Sequence, residues 1–131
     1  MAERLFFVID GEPVPKGRPR ALPKVTSAGK PFVSTYTPKA TRAFEERVGM
    51  LCSIQARRSA WAWDEGTRFA VTIQVYRTHE GKGGDLDNYA KAVLDGINTV
   101  AFQDDRYVRR LTTALHQDKA RPRVEVAVEK L

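Results

Sequence analysis

Four stretches of this chain alternate apolar and polar residues with a period of two, and two others repeat apolar residues at helical spacing. That mixture is what limits the folds open to it, because each pattern has one apolar face that must be covered. Leu5, Phe7 and Ile9 share the first strand face, and Phe69, Val71, Ile73 and Val75 share the second. A third runs from about Tyr107 to Gln117, with Tyr107, Leu111 and Leu115 on one side. The cleanest is the fourth, where Val124, Val126 and Val128 alternate with Glu125, Ala127 and Glu129. The joint Asp118-Lys119-Ala120-Arg121-Pro122 is short, so the last two strands are expected to pair as an antiparallel hairpin.

The first helix is expected to open at Thr37-Pro38, with threonine as N-cap and proline at the first helical position. Ala40, Phe44, Val48, Leu51 and Cys52 then form its apolar stripe. A second helix starts near Asp87 and buries Leu86, Ala90, Val93, Leu94 and Ile97. Between the first strand and the first helix lies a proline- and glycine-rich basic segment, in which Ser27-Ala28-Gly29-Lys30 reads as the turn of a small hairpin. With 131 residues and no repeat or linker, the chain is expected to form one α+β domain over residues 1–131. Its sheet should be mainly antiparallel or mixed, of about four strands, with two main helices packed on it.

The net charge of +6 points to an anionic partner. Its distribution says more: no acidic residue occurs between Glu12 and Glu45, while Lys16, Arg18, Arg20, Lys24, Lys30, Lys39 and Arg42 all lie in that gap. Such a run is either a solvated loop or a phosphate-binding surface. No apolar stretch approaches the ~20 residues of a membrane span, and the opening apolar run is read as a strand, not as a signal peptide. The single cysteine, Cys52, has no partner within the chain, so a cytoplasmic location is expected, with Cys52 acting as a small buried hydrophobe. His79 and His116 are read as solvated or structural.

Chemistry concentrates in Gly81-Lys82-Gly83-Gly84-Asp85-Leu86-Asp87-Asn88-Tyr89-Ala90-Lys91-Ala92-Val93-Leu94-Asp95 and in the later pair Asp104-Asp105. Asp85 and Asp87 are two apart, which puts both on one side of an extended backbone. Lys91 follows Asp87 by one helical turn. Clustered carboxylates repel until a cation neutralises them, and a hard cation such as magnesium takes oxygen ligands while keeping several waters. A lysine beside them can offset charge developing on a phosphoryl group. Asp, Asp, Asp and Lys are therefore a sensible set for phosphodiester hydrolysis. Taken singly, Asp85 or Asp87 reads as a helix cap, Asp87–Lys91 as an ordinary ion pair, and Asp104-Asp105 as a polar turn; their conjunction behind a glycine loop in a basic protein is what raises the catalytic reading.

The stretch from Asp85 to Asp95, followed by Asp104-Asp105-Arg106-Tyr107-Val108, resembles the signature of RusA-type Holliday junction resolvases. Gly11-Glu12-Pro13-Val14-Pro15-Lys16-Gly17-Arg18-Pro19-Arg20 and Tyr36-Thr37-Pro38 are similar to earlier motifs of that family, and Tyr89 departs from its usual leucine. The resemblance implies a small homodimeric, cytoplasmic enzyme of bacterial or prophage origin that binds four-way DNA junctions. It implies two symmetric nicks made with magnesium, or with manganese in its place. Carried over by position, Asp85, Asp87 and Asp105 are the catalytic, metal-binding carboxylates and Lys91 the catalytic lysine. Asp104, Asn88 and Asp95 are possible additions. Lys16, Arg18, Arg20, Lys24 and Lys30 are expected to contact phosphates. Three other readings remain: a nucleic-acid-binding protein without catalysis, a nuclease of the same chemistry acting on flaps, forks or single strands, and a structural role in a phage particle.

Overall fold

The computed structural model describes residues 3–17, 20–36, 38–81 and 83–131. In chain order the elements are β1 (Arg4–Asp10), β2 (Arg20–Val25), β3 (Pro31–Tyr36), α1 (Lys39–Arg58), β4 (Phe69–Arg77), α2 (Leu86–Ile97), β5 (Val108–Gln117) and β6 (Arg123–Lys130). A single 3-10 turn, Asp105–Tyr107, precedes β5. Four strands form one mixed sheet in the order β1-β6-β4-β5, and β2 and β3 form a separate two-stranded sheet. The fold is α+β, with the strand and helix order expected from periodicity. Among the described residues, no helix is long and apolar enough to cross a membrane.

The apolar alternation places the core. Leu5, Phe7 and Ile9 of β1, Phe69, Val71, Ile73 and Val75 of β4, and Val124, Val126 and Val128 of β6 are all buried. α1 covers this face through Phe44, Val48 and Cys52, and α2 through Tyr89, Ala90, Val93 and Ile97. The helices also pack on each other. A Cβ on Gly49 would come within 2.9 Å of the Gly96 carbonyl oxygen, and one on Gly96 within 2.8 Å of Val48. Two glycines therefore let the backbones of α1 and α2 meet, which sets Glu45 and Asp95 side by side.

Two expectations are corrected. The strands β5 and β6 do not form a hairpin. β6 lies between β1 and β4, antiparallel to both, while β5 pairs in parallel with β4. The reason is burial: β4 is apolar enough to need a neighbour on both edges, whereas β5 has four consecutive exposed residues and suits an outer position. Residues 118–122 can step over one strand because neighbouring strands are only about 4.8 Å apart. The Asp118 N–H donates to the Arg77 carbonyl at 2.9 Å, pinning the crossing to the end of β4. The first helix starts one residue later than expected: Pro38 is its N-cap and makes no side-chain cap, while the proposed cap Thr37 lies outside the described residues. Trp61 is buried, its indole N–H donating to the Ala101 carbonyl at 2.8 Å; Trp63 is exposed.

Candidate active-site cleft

The β4–α2–β5 unit brings most of the sequence-selected residues to one place. The outer face of α2 and the near face of β5 enclose a cleft of about 530 Å³ lined by Asp87, Lys91, Asp95 and Asp105. Leu86, Ala90, Leu94 and Leu111 supply apolar walls. Charges beside such walls act on one another more strongly than in open water. Asp87, Lys91 and Asp95 follow at four-residue steps, about 6 Å each along the helix axis, and so share one face. Asp105 enters from the 3-10 turn and interacts with the charges of Asp95 and Lys91.

The two members of the Asp104-Asp105 pair have different work. Asp104 caps the 3-10 turn: its carboxylate accepts the Arg106 N–H at 2.9 Å, and this bond holds its pKa below the usual range. Asp105 lines the cleft, and its carboxyl is pushed above the ordinary value by desolvation, by its hydrogen bond to Asp104 and by the charges of Asp104 and Asp95, against the opposing pull of Lys91. At the other end, Asp85 is the N-cap residue of α2 but makes no side-chain cap. Its carboxylate is exposed, outside the set that lines the cleft. Asp87 accepts only its neighbour's N–H, that of Asn88, at 3.0 Å among the described residues. Helix capping therefore does not account for Asp85.

The donor chemistry fits a hard divalent cation. The cleft offers carboxylate oxygens and the Thr113 hydroxyl. Desolvation first, and then the neighbouring acids Asp104 and Asp95, raise the Asp105 pKa, and a bound cation would favour its charged form. Among the described residues no three such side chains stand close enough to form a closed cage. The stepping along α2 spreads them along the cleft, and magnesium needs only one or two carboxylates beside its waters.

Several residues that hold the site together escaped sequence reasoning. Lys16, expected on phosphate, places its ammonium 2.5 Å from Glu45 and 2.9 Å from Asp95. Its N–H donates to the Asn88 carbonyl at 2.8 Å, so Asn88 acts here through its backbone. The preceding Pro15 packs on Gly84, where an added Cβ would lie 2.4 Å from the proline ring. Gly17 N–H donates to the buried Thr41 hydroxyl at 3.0 Å. This strap ties the basic segment to the start of α2. Arg77 is buried and donates to the Gly84 carbonyl at 3.1 Å beneath the loop that carries Asp85. A signal for it existed, since Arg77 continues the inward parity of Phe69, Val71, Ile73 and Val75. For Glu45 the sequence carries none. Of the other basic residues, Lys24 and Lys30 are exposed on the β2–β3 hairpin. Arg20 lies on β2, its side chain outside what is described, as is Arg18 altogether.

No curated protein matches the chain. The family model Endodeoxyribonuclease RusA matches residues 10–129, which takes in the strap, the hairpin, both helices and the whole cleft. With nearly its full length matched and the acidic cleft in place, this chain belongs to the RusA endodeoxyribonuclease family.

Proposed function

We propose that the chain is a magnesium-dependent endonuclease that resolves four-way DNA junctions by paired symmetric nicks, acting as a homodimer. The observation that carries this reading is the convergence of Asp87, Lys91, Asp95 and Asp105 on one apolar-walled cleft. Asp87 and Asp105 would hold the cation from the cleft wall, with Asp85, outside that lining, proposed as a further ligand from its place in the Asp85-Leu86-Asp87 motif alone. The cation would supply an activated water and charge neutralisation at the phosphate. Lys91, on the cleft surface beside Asp105, binds a non-bridging phosphate oxygen and offsets charge as the phosphorus is attacked. Asp95, held by Lys16, fixes the charge balance of the cleft without leaving its place. Leu86, Leu94 and Leu111 supply apolar walls beside the charged groups. Two nicks on opposite strands require two such clefts about a two-fold axis, the commonest closed arrangement of identical subunits.

The test is cleavage of a synthetic four-way junction with magnesium, with manganese and with EDTA, beside linear duplex, flap and fork substrates. Metal-dependent paired nicks on the junction support the reading. Equal cutting of flaps or forks points to a broader branch nuclease, and junction binding without cutting under either metal overturns the catalytic proposal.

A further inference from the structure

The hairpin β2–β3 has features that neither the fold nor the cleft uses. It forms a sheet of its own, and an isolated two-stranded hairpin is marginal in water. Its end is nevertheless well formed: Thr26 N–H donates to the Lys30 carbonyl at 2.9 Å, and Gly29 N–H to the Thr26 carbonyl at 2.9 Å. Close to this end stand two large apolar side chains, Val25 at 68% and Phe32 at 44% exposure. Lys24 is the direct cross-strand partner of Phe32, so an ammonium and an aromatic ring project side by side from one face. The hairpin lies wholly within the segment between Glu12 and Glu45 that has no acidic residue. An exposed ring that packs no core, flanked by cations and free of carboxylates, is suited to a base: the ring meets the π-face and the ammonium meets the adjacent phosphate.

We infer that the β2–β3 hairpin reads the branch point of the DNA, with Phe32 stacking on a base-pair face left open at the junction and Lys24 paired to its phosphate. Linear duplex offers no such face, because every interior pair is stacked on both sides. The hairpin is thus a selectivity element for branched DNA. This rests on the junction-cutting reading above, and it assigns to Phe32 a role separate from that of the acidic cleft.

The test uses the full chain in EDTA, which prevents cutting, and junctions carrying 2-aminopurine either at the branch point or within an arm. Wild type should change the fluorescence at the branch point and not in the arm. Phe32→Ala should abolish that change and weaken junction binding roughly tenfold, with duplex binding unaltered. Phe32→Trp should keep both properties, and Phe32→Leu, which keeps apolar bulk without a stacking face, should lose them. An unchanged fluorescence response in Phe32→Ala, an equal loss of junction and duplex binding, or a shift in oligomeric state on sedimentation would each overturn the inference. A wild type that neither prefers nor cuts junctions would instead overturn the functional reading on which it rests.

Discussion

Lys16 Nζ lies 2.9 Å from Asp95 Oδ2, and the same ammonium reaches Glu45 on the other helix. With 16% of its side chain exposed, Lys16 is a partly buried link between α1, α2 and the segment that leads to the hairpin. Lys16→Met should leave two neighbouring carboxylates without their counter-charge and cost about 1–3 kcal/mol, less than a fully buried pair because both acids keep some solvent. Urea denaturation measures this, and Lys16→Arg should recover part of it. The pH dependence has a definite sign. Burial works to lower the Lys16 pKa, but the hydrogen bonds and charges of Glu45 and Asp95 outweigh it and hold the pKa above the ordinary lysine value. The stabilisation is therefore complete below that value and is lost as pH rises through the higher, folded one. Wild type should show this alkaline loss, and Lys16→Met should not.

Asp87→Asn should reduce junction cleavage by about a hundredfold or more while binding is kept or strengthened, because one negative charge near the phosphate is gone. Gel shift and cleavage on the same junction separate the two effects. Cleavage within a few fold of wild type would remove Asp87 from the site.

Asp105→Asn should raise the thermal midpoint in EDTA. The Asp105 pKa is elevated, so the folded chain binds more protons than the unfolded one between the ordinary and the raised value. Stability falls as pH rises through that window, and the cost persists at neutral pH. Asparagine removes it. Magnesium should stabilise wild type by binding the folded state and should stabilise Asp105→Asn less. A variant less stable than wild type in EDTA would contradict the desolvation and like charge that raise the Asp105 pKa.

Replacing Lys24 and Lys30 together by glutamine should flatten the dependence of log binding constant on log salt, by roughly 0.9 per phosphate contact removed. An unchanged slope would place the phosphate contacts elsewhere.

The Cys52 thiol is fully buried, and desolvation pushes its pKa up to about 12. It should react with a thiol reagent only as the protein opens, which makes it a reporter of unfolding. Rapid modification of the native protein would mean that the α1 face is loosely packed.

Much of this molecule was legible in its residues because the two periods are local properties. Val124, Val126 and Val128 announce a strand whatever surrounds them, and the four-residue spacing of Asp87 and Lys91 places both on one helical face before any helix is seen. Strand order was not legible: a joint as short as residues 118–122 serves a hairpin and a step over one strand equally well, and only the need of β4 for two neighbours decides. The basic segment misled for a related reason. Lys16 and Lys24 look alike in sequence, but Gly49 and Gly96 bring Glu45 and Asp95 together at long range, and that meeting claims Lys16 and leaves Lys24 exposed.

β6, which follows β1 and β4 in sequence, is an inner strand of the sheet, and among the described strands it alone pairs with both. During synthesis, β1 and β4 therefore emerge without the partner that joins them, and the sheet closes only when residues 123–130 have left the ribosome. A nascent chain halted before Arg123 carries every acidic residue of the cleft but lacks the scaffold that would hold them in place. Fold topology thus delays the assembly of a DNA-cutting site until translation has passed through β6.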